Sequence, residues 1–346
     1  MSVQLVDCTI RDGGYLLQKN SDLGFVRGVL EGLRKSGIDY AETGFLQNNS
    51  LGESIVYKNI AEMMSVVPKR SGRTEYLAFC DNSRYSPDNL ENCDENKIKW
   101  IRISFAKHEK EEALLFCEKA KRKGYSVQFN PMDAIGYSEK ERAGLLRDVN
   151  RVKPACFSIV DTFGAMYLND LDEIYFHCNE VLDKNIKIGL HSHDNLGLSC
   201  ALAEQLISFA TKTERDVLVD GSLLGMGRGA GNAKTELLAE YINRYSGGKY
   251  DIACLLDVID TYIVPLRDKL KWGYDLPMYI CGTLHAHVDN VYHLKEKWKC
   301  NVGEMYTVLG QMTIDERIRY GVGYKKDDFS ALDDYCSSIH SCEENK

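Results

Sequence analysis

A chain of 346 residues is longer than one small domain and suits a barrel of about 250 residues carrying an appendage of about 100. Apolar residues make up 44% and charged residues 27%, which provides side-chain volume for a large core and excludes a disordered chain. A formal net charge of −8 argues against nucleic-acid and membrane-surface partners, which attract clustered Lys and Arg, and favours a small-molecule substrate.

The residues leading to Asp7 read as a short strand, not as a charged and then apolar leader. No later run approaches the apolar length of a membrane span, so a soluble, cytoplasmic protein is expected. β-rich runs then recur at 4–7, 38–45, 75–80, 98–105, 126–130, 156–161, 186–193 and 216–222. Helical signals lie between them. Ser21-Asp22 opens a run that ends at Gly37, and residues 107–123 carry Leu114, Leu115 and Ala120 before Gly124. Alternating β and α elements imply parallel strands, and eight such units favour a closed (β/α)₈ TIM barrel over an open sheet.

Ser246-Gly247-Gly248 breaks the pattern. The expected division is a barrel over 1–248 and a smaller, mainly helical C-terminal domain over 249–346, with helices at 252–270 and 302–309 and a frayed end from 337. Twelve cysteines without a Cys-x-x-Cys pair fit reduced thiols, and Cys8 reads as a small buried filler.

Active sites of such barrels sit at the C-terminal ends of the strands. Strand one runs into Thr9-Ile10-Arg11-Asp12-Gly13-Gly14, which sets a cation-binding carboxylate beside an anion-binding guanidinium next to a flexible glycine pair. Strand seven ends in His191-Ser192-His193-Asp194-Asn195, where residues two apart on a strand point to one side, so both imidazoles can converge. A His-x-His alone is a weak signal, but with Asp12 on the same face it makes a partial shell for one divalent metal ion, Mn²⁺ or Mg²⁺ first and Zn²⁺ or Co²⁺ next. Asn195 reads more simply as a helix N-cap. Further strand ends present Glu42-Thr43-Gly44, Asp161-Thr162-Phe163-Gly164 and a glycine loop from Gly225 through Arg228 to Asn232. That loop lacks the Lys-Ser/Thr ending of a phosphate cradle.

These three motifs, in this order, resemble the DRE-TIM metallolyase superfamily, also called hydroxymethylglutaryl-CoA-lyase-like, and within it the 4-hydroxy-2-oxovalerate aldolases. The resemblance covers roughly residues 3–245. It implies that Asp12, His191 and His193 ligate the metal with Asn232 at the edge of the shell, and that Arg11 faces the substrate and stabilises an enolate. Glu42 then reads as a carboxylate orienting Arg11, or as a plain buried salt bridge. Thr162 is either a contact to the substrate carboxylate or a cap on the next helix, and Arg228 either a substrate contact or an ion pair.

The aldolases carry a His soon after the Arg-Asp-Gly motif as general base; here Tyr15-Leu16-Leu17-Gln18-Lys19 offers none. Tyr15 is the replacement to weigh, if Arg11 and a metal lower its pKa. The expected activity is a metal-dependent aldolase-type lyase joining a pyruvate-like 2-oxo acid enolate to an aldehyde. The alternatives are a Claisen-type acyltransferase using acetyl-CoA, and a catalytically silent barrel serving as a binding module. The C-terminal segment, with His285, His287 and His293, is expected to act as a lid, or less readily as a second metal site. A homo-oligomer is expected.

Overall fold

The computed structural model describes residues 1–17, 22–49, 55–69, 72–93, 98–319 and 328–343, so Gln18, Lys19 and Ser21 of the motifs above lie outside the described residues. Among the described residues nine parallel strands form one sheet: β1 (Val3–Asp7), β2 (Tyr40–Leu46), β3 (Val56–Tyr57), β4 (Glu75–Asp81), β5 (Ile98–Phe105), β6 (Ser126–Pro131), β7 (Cys156–Asp161), β8 (Lys187–Ser192) and β9 (Val217–Gly221). β1 pairs with both β2 and β9, which closes eight of them into a barrel. The two-residue β3, absent from the sequence reading, only extends the end of β2. The closed barrel is the expected TIM architecture.

Helix boundaries follow local chemistry. Asp22 accepts a hydrogen bond from the Gly24 N–H to start helix Leu23–Ser36, and Gly37 ends it at φ 71°. Helix Glu139–Val152 begins with a reciprocal cap between Ser138 and Glu141. Apolar faces of these outer helices pack on the strands in one continuous core.

Inside the barrel the alternation of strand residues produces layers. A small apolar plug of Val6, Tyr40, Leu77, Cys156 and Leu218, with Trp100 against it, closes the N-terminal end. Two residues further along β2, β5, β7 and β9 the layer turns polar, with Glu42, Arg102, Ser158 and Asp220, all buried. Gly189 is required at this level, because a Cβ there would come within 2.4 Å of the Ser158 hydroxyl oxygen. A charged layer above an apolar plug places the barrel's polar groups directly beneath its open C-terminal end.

Asp7, at the end of β1, accepts hydrogen bonds from the Thr9 N–H (3.0 Å) and the Thr235 hydroxyl (2.6 Å). Burial outweighs both and pushes its carboxyl up to about 6 from 3.8. Between those two pH values the folded state holds a proton that the unfolded chain has released, so this group's contribution to stability falls as pH rises from 3.8 to about 6. Asp7→Asn is expected to flatten that slope and to gain up to about 3 kcal/mol relative to wild type at neutral pH. Urea midpoints at pH 4 and pH 7 check this; parallel shifts in the two proteins would contradict it.

The C-terminal region departs from the expected division. Tyr250, Leu255, Val258, Ile259 and Ile263 belong to the barrel's core, with Val258 pressed against Gly32 of helix Leu23–Ser36. The glycine pair at 247–248 therefore ends a helix without separating two cores. A second core joins Met278, Ile280, Val291, Leu294, Met305, Val308 and Leu332, with Ala230 of the glycine loop packed among them. Its helices are Leu276–Thr283, Val288–Glu296, Val302–Gln311, Ile314–Ile318 and Ser330–Glu343, the last running through residues expected to be frayed. The single helix expected over 252–270 is instead broken by a π-turn at Ile259–Ile263. No described helix is long and apolar enough to cross a membrane.

Candidate active site and metal centre

Asp12 sits not on a flexible glycine turn but in a one-turn helix, Thr9–Gly13, directly after β1. His191 lies on β8, while His193 lies just beyond it and is held there by a bridge to Asn232. The bridge exists because the glycine loop folds back on itself: the Asn232 N–H donates to the Gly225 carbonyl (3.2 Å) and the Asp194 N–H to the Gly231 carbonyl (2.8 Å). Gly231, at φ 80°, admits no side chain, since a Cβ would lie 1.9 Å from the Gly225 oxygen.

Among the described residues, Asp12, His191 and His193 are the one group whose ligand atoms could hold a metal ion, all within 4.8 Å of one another. The donor set fits such an ion. His191 uses Nδ1 toward Asp220 Oδ2 at 3.0 Å, and His193 uses Nδ1 toward the Asp161 carbonyl at 3.0 Å, so each ring is oriented through one nitrogen and keeps Nε2 for a ligand. Burial holds the His193 imidazole down to about 4, neutral as ligation requires. For Asp12, burial alone would raise the carboxyl, yet Arg11 and the two imidazoles outweigh it and hold it to about 2. Asn232 donates through Nδ2 to Asp12 Oδ2, and its buried Oδ1 has no hydrogen-bond partner.

Arg11 donates from Nε to Glu42 (2.8 Å) and from Nη1 to Asp12 (2.7 Å), with its guanidinium over the Phe79 ring at 4.7 Å. Glu42 also faces Arg102, whose Nε lies 3.2 Å away, and Arg102 grips Asp220 with both terminal nitrogens at 2.6 and 3.0 Å. A single buried chain of ion pairs therefore runs Asp12, Arg11, Glu42, Arg102, Asp220 and ends in the Asp220–His191 hydrogen bond. Sequence reasoning missed Arg102 and Asp220; the only available signal was one lone charge at an inward position in each of two apolar strands.

Above this lies a cavity of about 450 Å³ lined by Arg11, Asp12, Tyr15, His191, His193 and Thr162, among others. Glu42 does not reach it. Thr162 is not a helix cap: its hydroxyl oxygen accepts from the Asp133 N–H at 2.8 Å, which leaves its hydrogen free for the cavity. Asn195 is not an N-cap either, because it clamps the Phe163 carbonyl (2.9 Å) to the Ala230 N–H (3.3 Å). Tyr15 shows 49% of its surface and packs edge-on against Phe45, which suits a structural aromatic, and burial of its phenol raises the pKa above the ordinary tyrosine value. Cys8 is the expected inert filler, its thiol donating to the Gly221 carbonyl with its pKa driven up by burial.

Arg228 pairs with Asp289 of helix Val288–Glu296 while also lining the cavity. His287, Val288, Asp289 and Tyr292 complete that wall, so the C-terminal region covers one side of the site. The three C-terminal histidines do not assemble: His285 pairs with Asp133, His287 caps its own helix, and His293 pairs with Asp333.

Residues 99–260 match the HMGL-like family model. A 4-hydroxy-2-oxovalerate aldolase of Thermomicrobium roseum is 27% identical over 324 residues, spanning 89% of this chain and 86% of its own. One from Chloroflexus aurantiacus is 24% identical, over 82% of this chain and 84% of its own. The N-terminal domain of a candidate aldolase from Bacteroides vulgatus shares the fold, with a TM-score of 0.71 at 23% identity over 86% of this chain and 98% of that one.

Proposed function

Proceeding from an HMGL-like domain in a chain related over most of its length to 4-hydroxy-2-oxovalerate aldolases, we propose that this protein is a divalent-metal-dependent, aldolase-type carbon–carbon lyase. It reversibly joins the enolate of pyruvate, or of a close 2-oxo acid, to an aldehyde. The observation that carries this reading is the joining of a three-donor cluster and a fixed guanidinium in one cavity.

A divalent ion held by Asp12, His191 and His193, with Asn232 beside them, would supply Lewis acidity toward a 2-oxo acid; a carboxylate with two imidazoles accommodates Mn²⁺, Mg²⁺, Zn²⁺ or Co²⁺. Arg11 provides the anion-facing charge. Its Nε and Nη1 are committed to Glu42 and Asp12, and its Nη2 remains to meet an oxygen on which negative charge develops. Glu42 is a positioning residue, acting on Arg11 from beneath. Thr162 can donate its hydroxyl hydrogen to the substrate carboxylate. Arg228, neutralised by Asp289, shapes the wall. Tyr15 lines the same cavity, where its phenol can donate a hydrogen bond to a bound substrate.

The test is solvent-deuterium exchange into the methyl group of pyruvate, followed by NMR on metal-stripped and metal-reloaded protein. Exchange that requires the metal is the expected result. No exchange with any of the four ions would overturn the reading, and thiol release from acetyl-CoA with a 2-oxo acid would replace it with Claisen-type acyl transfer.

A further inference from the structure

One wall of the cavity is built from a single register row across three neighbouring strands. Asp81 at the end of β4 is paired with Ser104 of β5, and Ser104 with Asn130 of β6. All three line the cavity, on the inward side of their strands. Ser104 is 8% exposed and Asn130 only 3%.

A buried polar side chain normally has a protein partner, and most of this row does not. The Asn130 carboxamide oxygen has no hydrogen-bond partner. Nor does the side chain of Asn130 or of Ser104 bond to any other described residue. Asp81 differs, since both its oxygens are engaged within its own turn, one accepting from the Ser83 N–H (3.0 Å) and hydroxyl (2.7 Å) and the other 3.2 Å from Arg84 Nε, so it offers the cavity only the remaining lone pairs of a carboxylate. One row below, by contrast, Arg102 and Gln128 are tied together at 3.0 Å and Gln128 to Ser158 at 3.0 Å. The upper row is therefore supplied with donors and acceptors whose partners must come from whatever fills the cavity.

Resting on the aldolase reading, we infer that the aldehyde partner is hydroxylated: a short aldose-type aldehyde whose hydroxyl groups are met by Asp81, Ser104 and Asn130. Each hydroxyl of such a molecule can donate to a carboxylate or carboxamide oxygen and accept from a serine or an amide N–H. An alkyl aldehyde of equal length would cover the same groups and satisfy none of them. Sites built to bond a hydroxyl reject the analogue lacking it far more strongly than apolar pockets separate neighbouring sizes. The row also spans three adjacent strands, which suits a ligand with hydroxyls on successive carbons better than one with a single polar end.

The metal-loaded, full-length protein is given pyruvate with glyceraldehyde or propanal, and with erythrose or butanal, and product formation is followed by NMR. Hydroxylated aldehydes are expected to win by about 100-fold or more in kcat/KM. Asn130→Leu and, more gently, Ser104→Ala are expected to shrink that ratio, the former by about tenfold. Because the ratio is taken within each variant, a loss of overall activity does not mimic it. Equal rates, or a preference for the alkyl aldehydes, would overturn the inference while leaving the aldolase reading in place. If pyruvate exchange is absent from the wild type, the aldolase reading fails separately. Saturation-transfer NMR with erythritol and butanol, which needs no turnover, then decides the ligand class. Transfer to erythritol that is lost in Asn130→Leu supports the row as a polyol site, and transfer to butanol alone overturns it.

Discussion

Arg11→Lys is expected to slow pyruvate proton exchange by about 10²–10³-fold while metal stays bound, the loss typical of removing one preorganised donor from a developing oxyanion. The substitution keeps the charge and removes the geometry. Arginine spends Nε on Glu42 and Nη1 on Asp12 and still has Nη2 for substrate, with its plane resting over Phe79. A lysine ammonium is a single point that cannot span both carboxylates and face the cavity as well. Exchange rates by NMR beside metal stoichiometry by atomic emission make the check. A variant that binds metal and exchanges within threefold of wild type would reduce Arg11 to a structural cation.

How much of this was legible beforehand depends on whether the signal was local. The strands were, because β-branched and apolar runs bounded by turns carry their own period, and so was the helix from Asp22 to Gly37, with a capping side chain at one end and a left-handed glycine at the other. The C-terminal boundary was not. Ser246-Gly247-Gly248 looks like a linker in sequence, yet Leu255 and Val258 bury themselves on the barrel helix before them, a contact that no local pattern announces.

The site divides in the same way. Arg11, Asp12, His191 and His193 stand in short motifs, and the three candidate donors converge although His193 lies past the strand end, because the glycine loop holds it. Asn195 was read as a helix cap, and the cap was one of two readings for Thr162; both bind neighbouring loops instead. Asp81, Ser104 and Asn130 could not be joined in advance: each is one polar residue near the end of a different strand, and only the register makes them a row. Asp220 and Arg102 were hidden for the same reason, each being the one charge on the inward face of its strand, with its partner 118 residues away.

Arg102 is also where the largest loss of stability is expected. It is fully buried and holds Asp220, Glu42 and Gln128 at once. Burial alone would raise the Asp220 carboxyl; Arg102 first and His191 next outweigh it, so the anion persists inside the barrel only because its partners are there. Arg102→Met, close in volume but uncharged, leaves buried Glu42 with Arg11 alone and buried Asp220 with His191 alone, and is expected to cost about 3–5 kcal/mol, read as a fall in the urea midpoint. Adding Asp220→Asn to Arg102→Met should return part of that loss, since the penalty comes from an uncompensated charge and not from lost packing. The double variant should still bind metal about 10–100-fold more weakly than wild type, because Asp220 also orients His191 through Nδ1. A single-variant cost below about 1 kcal/mol would mean that water or proton uptake compensates Asp220 and Glu42, and that the charge chain beneath the metal centre is not what holds it in place.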